Sequence, residues 1–228
     1  PGLPSQLHMS PPYRNRFDVE PSHQPKEGGV LILLYPKDGD LHFVLTLRTD
    51  TLGNHRGQIS LPGGGRENGD ADFVATAFRE ACEELGITLD GCEHLGALSP
   101  LYIPPSDYRI FPQVACVSAR PDFRPDAREV AELIEVPLRQ LLDPATREVE
   151  PWFMQAYNLT TQMPFYRVGD EGKHKVWGAT AMVLAEFRSL LVNQGESNMS
   201  VLAMQDPEVY RAIELEKGRQ RDKIELIA

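Results

Sequence analysis

The chain has 228 residues and a mass of 25.5 kDa, which is room for one domain with extensions but not for a large two-domain enzyme. Hydrophobic residues make up 41% and charged residues 25%, so the chain can bury a core and wholesale disorder is excluded. The formal net charge of −10 repels phosphate backbones and anionic lipids. We therefore expect neither nucleic acid nor a membrane as a partner.

The sequence carries no signal for a membrane or for secretion. It has no run of the roughly 18 to 20 apolar residues that a bilayer span needs, and no basic segment followed by an apolar one at its start. Its three cysteines form no CxxC motif, which is typical of reduced thiols. These patterns predict a soluble, cytoplasmic protein.

The first predicted elements are a proline-rich arm and a strand pair. Residues 1 to 27 contain six prolines and little apolar periodicity, which predicts an irregular arm. The main domain follows over residues 28 to 192. Its apolar segments at 28 to 35 and 41 to 48 flank a turn at 37 to 40 and predict two paired strands.

A glycine-rich loop at 61 to 69 comes next, followed by a helical pattern from about Asp70 to Leu85 that Gly86 ends. Later elements are predicted in this order: strands at 93 to 98, 111 to 118 and 133 to 137, a short helix at 138 to 142, one more strand pair within 143 to 172, and a long helix at 179 to 192. The elements alternate without a regular βαβ period, which favours a mixed sheet flanked by helices.

A C-terminal extension occupies residues 193 to 228. Asp206 and Pro207 form a good helix start, and Gly218 a good helix end. We predict a terminal helix from Asp206 to about Lys217.

The predicted helix at 70 to 85 carries the densest charge pattern. On a helical wheel, Glu80, Glu83 and Glu84 share one arc with Arg79, opposite an apolar face. Neighbouring carboxylates on a helix repel each other unless something neutralises them, and a divalent cation would do so. The alternative is an ordinary solvated acidic face. The ProGlyGly turn before the helix favours a cation site over a solvated face, because the backbone of this turn can approach a ligand closely.

The segment ArgGluAlaCysGluGluLeuGlyIle, residues 79 to 87, resembles the C-terminal half of the Nudix box. The full box also asks for a glutamate eight positions before the arginine, and Ala71 stands there. Counting from Gly64 instead places Asp70 at the acidic position, with one extra residue before Arg79.

Other segments resemble the coenzyme A diphosphatase branch of the Nudix hydrolases. They are residues 45 to 48, 55 to 64, 129 to 138 and 175 to 181. The resemblance implies an α/β fold of the α+β type, with a mixed sheet between helices. It also implies hydrolysis of coenzyme A or its thioesters to 3′,5′-ADP and 4′-phosphopantetheine.

Two alternatives stay open. The substrate could be another small nucleotide, such as ADP-ribose or NADH. The domain could also be a binding or regulatory one without catalysis, for which Ala71 is the only support. Whether the chain forms a homodimer is open as well.

The resemblance also implies site residues. Mg²⁺ or Mn²⁺ would be held by Glu80 and Glu84, then by Glu83, with the carbonyl of Gly64 or its neighbour Gly65 as a further contact. Arg79 would orient these carboxylates.

The general base is open between Glu83, Glu129 and Glu132. Four cationic or polar side chains in the upstream motif and the glycine loop are candidates to bind substrate phosphates, or are ordinary surface groups. They are Arg48, His55, Arg56 and Arg66. We interpret Trp177 as a core aromatic between a strand and a helix.

Overall fold

The computed structural model describes residues 2–11, 21, 23–49, 58–154 and 158–193. In chain order the elements are α1 (Leu3–Leu7), β1 (Lys26–Lys37), β2 (Asp40–Arg48), β3 (Ile59–Ser60), β4 (Gly63–Gly65), α2 (Phe73–Leu85), β5 (Glu93–Ala97), β6 (Leu101–Ile103), β7 (Tyr108–Cys116), β8 (Val130–Pro137), α3 (Leu138–Leu142), β9 (Arg147–Met154), β10 (Leu159–Val168), β11 (His174–Trp177) and α4 (Gly178–Asn193). No helix in these ranges is long and apolar enough to cross a membrane.

The main sheet is mixed, as predicted. Strand β1 lies in its centre, antiparallel to β2 and β4 and parallel to β7. Strand β8 extends the sheet beyond β2, while β5 and β6 pair with β7. A second, three-stranded antiparallel sheet has the order β11-β10-β9.

Helices cover both faces of the main sheet. Along β1, Ile32 and Leu34 join one buried cluster, while Leu31, Leu33 and Tyr35 join another, as the alternation of side chains along a strand requires. The first cluster includes residues of α4, and the second includes residues of α2. The prediction of a sheet sandwiched between helices is confirmed.

The segment predicted as an irregular arm contains the short helix α1. Gln6 and Met9 are fully buried, and α1 packs against α4. Proline-rich composition concealed this helix, although proline is tolerated in the first turn of a helix, where Pro4 stands.

The glycine loop and its helix differ slightly from the prediction. Gly63–Gly65 form strand β4, because their backbones pair with β1. Helix α2 begins at Phe73, since the Asp72 side chain caps it by accepting a hydrogen bond from the Ala75 amide at 2.8 Å. Gly86 ends it in a left-handed conformation, as predicted. The predicted terminal helix at 206 to 217 lies outside the described residues.

The crossing of β1 and α2 leaves no room for a side chain at Gly29. A Cβ atom there would lie 2.7 Å from the Phe73 carbonyl oxygen and 2.8 Å from the Ala77 amide nitrogen. We expect Gly29→Ala to lower the free energy of unfolding by about 1–3 kcal/mol, because rigid backbone must move. Urea titration followed by circular dichroism measures this change.

Gly69→Ala is the matched control, since a Cβ atom there meets nothing within 4 Å. Its effect should stay within about 0.5 kcal/mol. Equal losses for the two variants would contradict this account of the packing.

Candidate active site

Strand β4 brings a side-chain-free backbone against the carboxylate-bearing face of α2. A Cβ atom on Gly64 would lie 2.5 Å from one Glu80 carboxyl oxygen and 2.6 Å from the other. The Glu80 carboxylate thus occupies the space that a side chain at Gly64 would fill. Glycine is required here for close approach.

Arg79 connects the helix to the preceding loop. Its guanidinium makes a two-point contact with Asp70, with Nε and Nη2 each 3.1 Å from a carboxylate oxygen, and Nη2 also donates to the Gly65 carbonyl at 2.9 Å. Nη1 lies 3.0 Å from Glu80 Oε1 and 3.2 Å from Glu83 Oε2. Such bidentate contacts fix orientation as well as charge.

The Asp70 contact accounts for the altered motif. The hydrogen bonds from Arg79 hold the pKa of the Asp70 carboxyl well below its usual range. The same carboxylate accepts from Thr76 Oγ1 at 3.0 Å and from the Glu67 amide at 2.9 Å. Asp70 therefore occupies the acidic position that Ala71 leaves empty, and one extra residue is accommodated before the helix.

Glu84 is almost completely buried, with 4% of its surface exposed. One oxygen accepts from the Gly63 amide at 3.1 Å, and the other lies 3.3 Å from Arg48 Nη1. Burial outweighs these two contacts and, together with the charges of Glu80 and Glu129, raises the pKa of Glu84 from 4.5 to about 7. Burial also raises the pKa of Glu80. The site holds more negative charge than its arginines neutralise.

Glu83 differs from the other two helix glutamates, because 61% of its side chain is exposed. The three glutamates share one arc on the helical wheel, but their solvent exposure differs in the structure. Glu83 is exposed, Glu80 is half-buried and Glu84 is buried. The three glutamates therefore do not form the ordinary solvated face that was the alternative, since strand β4 covers Glu84.

The two loop candidates for the general base lie in different surroundings. Half-buried Glu129 is close enough for its charge to raise the pKa of both Glu80 and Glu84. Glu132 instead pairs with Lys173 at 3.0 Å and His174 at 3.3 Å. Glu132 is thus occupied elsewhere, whereas Glu129 belongs to the carboxylate cluster.

The donor set suits a hard divalent cation in its chemistry. Within the described ranges, no three Asp, Glu, His or Cys side chains converge as a preformed metal site, and Arg79 and Arg48 contact the helix carboxylates. Carboxylate and carbonyl oxygens are nevertheless the ligands that Mg²⁺ and Mn²⁺ prefer. The raised pKa of buried Glu84 also marks a place where added positive charge would be favourable.

A cavity of about 770 Å³ opens beside Gly63 and Gly64, within the usual size range of small-molecule sites. Of its described lining residues, one is charged, and this is Arg48 at the end next to Glu84. The remainder of the described lining is mainly apolar. It includes residues of β1, β3, β4, β6, β7, β9, β11 and α4, with Pro11 from the N-terminal segment. An acidic, cation-attracting end thus adjoins an apolar chamber.

The predicted phosphate-binding residues fall into three groups. Arg48 lies at the cavity. Arg66 is exposed, donates to the carbonyls of Asp70 and Ala71, and covers the Phe73 ring, so it lies outside the described cavity lining. His55 and Arg56 lie outside the described residues.

Sequence reasoning missed Tyr108 and assigned Trp177 only to the core, whereas the fold brings both to this site. Tyr108 lines the cavity, and burial, together with the charge of Glu80, raises the pKa of its hydroxyl. Trp177 lies between a strand and a helix as expected, but it is half-buried, lines the cavity and contacts Trp152 edge-on. The available signal for Trp177 was its place directly before the GlyAlaThr segment at 178 to 180. No local pattern marks Tyr108.

The comparisons agree with this fold. The NUDIX domain profile matches residues 25–156, more than half of the chain, and the chain belongs to the Nudix family. Members of this family generally use divalent cations such as Mg²⁺ or Mn²⁺.

Among its relatives, the chain is 34% identical over 164 residues to Nudix hydrolase 22, chloroplastic, of Arabidopsis thaliana, covering 71% of this chain and 54% of that protein. It is 33% identical over 175 residues to mitochondrial coenzyme A diphosphatase NUDT8 of Homo sapiens, covering 75% and 72%. The chain thus spans about half the length of the Arabidopsis relative.

A crystal structure of a MutT/nudix family protein from Enterococcus faecalis superposes with a TM-score of 0.52 at 15% identity, covering 90% of this chain and 75% of that one. At this identity the likeness supports the fold alone.

The buried Glu84 carboxyl predicts a pH dependence of stability. Its folded-state pKa is raised to about 7, so its contribution is fully present below its ordinary pKa of 4.5 and is lost as the pH rises through 7. In EDTA, we expect this group to lower the free energy of unfolding by up to about 3 kcal/mol between pH 5 and pH 8. Urea titrations at several pH values measure the slope.

Glu84→Gln should remove this part of the slope. Glu93→Gln, which changes an exposed carboxylate on β5, should retain it. An unchanged slope in Glu84→Gln would contradict the assignment.

Proposed function

We propose that the protein is a metal-dependent diphosphatase that hydrolyses coenzyme A or its thioesters. The observation that carries this proposal is the junction of two environments: the acidic end formed by Glu80, Glu84 and Glu129, and the apolar cavity that begins at Gly63 and Gly64. Coenzyme A has the matching chemistry, because an uncharged arm extends from its diphosphate. The similarity to NUDT8 supports the same substrate.

In the proposed reaction, water attacks one phosphorus atom and the bridging P–O bond of the diphosphate breaks. The products are 3′,5′-ADP and 4′-phosphopantetheine, or its acyl form. A bound Mg²⁺ or Mn²⁺ would supply charge neutralisation for the two phosphoryl groups. Glu80, Glu84 and the Gly64 carbonyl would hold the cation, with Glu83 turning in from solvent.

The remaining roles follow from position. Arg79 orients Glu80 and Glu83 through its fixed contact with Asp70. Arg48 presents its guanidinium at the cavity end and pairs with a substrate phosphate there. Glu129 takes the proton from the attacking water, since it is the carboxylate of the cluster that contacts neither arginine.

The altered box position does not favour a non-catalytic domain. The carboxylate expected at Ala71 is supplied by Asp70, which holds Arg79 in place. The three helix glutamates are all present. We therefore propose an enzyme rather than a regulatory module.

The loop glutamates provide a matched test of the general base. We expect Glu129→Gln to lower kcat by about 100-fold or more, as loss of a general base does. Glu132→Gln should keep kcat within about twofold, because that residue pairs with Lys173 and His174. Steady-state kinetics with coenzyme A and MgCl₂ measure both. Comparable losses in the two variants, or none in either, would rule out this role for Glu129.

Substrate class is tested by kinetics on a small panel. We expect kcat/KM for coenzyme A or its thioesters to exceed that for ADP-ribose and NADH, because a terminal ribose or nicotinamide riboside fills the apolar cavity less well than a long acyl-pantetheine arm. The cleavage should require MgCl₂ or MnCl₂, and Glu80→Gln should lower it by about 100-fold or more. A preference of about tenfold or more for ADP-ribose or NADH would overturn the substrate while leaving the family intact.

A further inference from the structure

A buried carboxylate on α4 lies apart from the catalytic cluster. Glu186 is 4% exposed, and its carboxylate oxygens accept hydrogen bonds at 2.8 to 3.2 Å from the Gly2 amide, the Gln6 side chain, and the amide and hydroxyl of Ser99. In the described part of the chain, no cation pairs with it in a salt bridge. Burying a carboxyl group is costly unless its oxygens find hydrogen-bond donors, and these donors supply them.

The three segments that Glu186 joins all form walls of the cavity. The N-terminal segment, residues 2 to 11, contributes Pro11. The strand after Ser99 contributes Ile103 and leads into the lining residues 104 to 106. Helix α4 contributes Met182 and Val183, which lie one turn before Glu186 on the same side of the helix. This carboxylate therefore joins three segments that each contribute to the lining of the chamber.

The described lining residues on the segments that contact Glu186 carry no charge. The charged residue of the described lining is Arg48, which belongs to β2 and lies beside Glu84. The nucleotide half of coenzyme A bears several negative charges, whereas its pantetheine thioester arm bears none. The uncharged arm matches this chamber better, because an unpaired phosphate in an apolar site is unfavourable.

We propose that Glu186 is a positioning residue that holds residues 2 to 11 and the Ser99 loop as walls of a binding chamber for the acyl-pantetheine arm. This inference rests on the proposed function for the identity of the substrate. It assigns to the N-terminal segment a part in substrate affinity.

Two single variants of the full chain disturb this support in different ways. Glu186→Gln replaces a carboxylate oxygen with an amide NH₂ group, which faces the hydrogen-bond donors that now surround Glu186. Gln6→Glu places a second carboxylate beside Glu186, where Gln6 Nε2 now donates to Glu186 Oε2 at 2.8 Å. We expect each to raise the KM for octanoyl-coenzyme A by about tenfold, with kcat within about twofold. The exchange variant Gln6→Glu/Glu186→Gln restores one donor and one acceptor, so its KM should be lower than that of either single variant.

Glu135→Gln is the matched control. The Glu135 carboxylate accepts hydrogen bonds from Tyr35, Lys37 and Arg120. Its replacement should therefore lower stability, although Glu135 is not among the described residues that line the cavity. Its KM for octanoyl-coenzyme A should stay within about twofold of wild type. An equal rise of KM in this control, or parallel losses of kcat on every substrate in the Glu186 variants, would overturn the inference.

Binding of S-octanoylpantetheine, measured by calorimetry without metal, separates this inference from the proposed function. Wild type should bind it, and Glu186→Gln should bind it about tenfold more weakly. Ile103→Trp, which narrows the chamber without touching Glu186, should also weaken binding and serves if the Glu186 variants do not fold. Cleavage of coenzyme A without binding of the arm overturns the inference alone. Binding of the arm without cleavage overturns the proposed function alone.

Discussion

The approach of β4 and α2 to the central strand is closer than side chains allow, and the site depends on it. A Cβ atom at Gly29 would meet the backbone of α2, and one at Gly64 would meet the Glu80 carboxylate. Glycine therefore lets a strand lie directly over the acidic face of a helix. The Gly63 amide reaches Glu84 only because of this contact. Without it, Glu84 would be an exposed surface acid.

The same approach determines how charge is distributed. Carboxylates on one helix face repel each other, and two arginines from different elements partly neutralise them. Arg79 is fixed by Asp70 and contacts Glu80 and Glu83, while Arg48 reaches Glu84 from β2. Neither arginine restores an ordinary pKa to the buried acid. The protein thereby keeps a region of unbalanced negative charge next to an apolar chamber, which is a useful arrangement for attracting a cation and then a diphosphate.

Much of this could be predicted from the sequence, because the relevant signals are local. An apolar run predicts β1, alternation predicts β2, and Gly86 predicts the end of α2. The altered box left two counts open, and the contact of Asp70 with Arg79 decides between them. The burial of Glu84 was not predictable from a helical wheel, since a wheel does not show which strand covers which side.

Long-range features escaped sequence reasoning for a different reason. The contacts of Glu186 with Gly2 and Ser99 span 184 and 87 residues, and no periodicity reports such pairs. Glu186 sits in an apolar helix, where a single acid is easily interpreted as surface. Helix α1 was concealed in the same way, since its stability comes from packing on α4 rather than from its own sequence.

The two tryptophans of the chain are Trp152 and Trp177, and their rings meet edge-on with centroids 5.0 Å apart. Trp177 lies in the wall of the cavity. All the indole fluorescence of the protein therefore originates at, or in contact with, the surface that a ligand would cover. Occupancy of the chamber would change the polarity around these rings, so the unmodified protein carries its own optical reporter of binding.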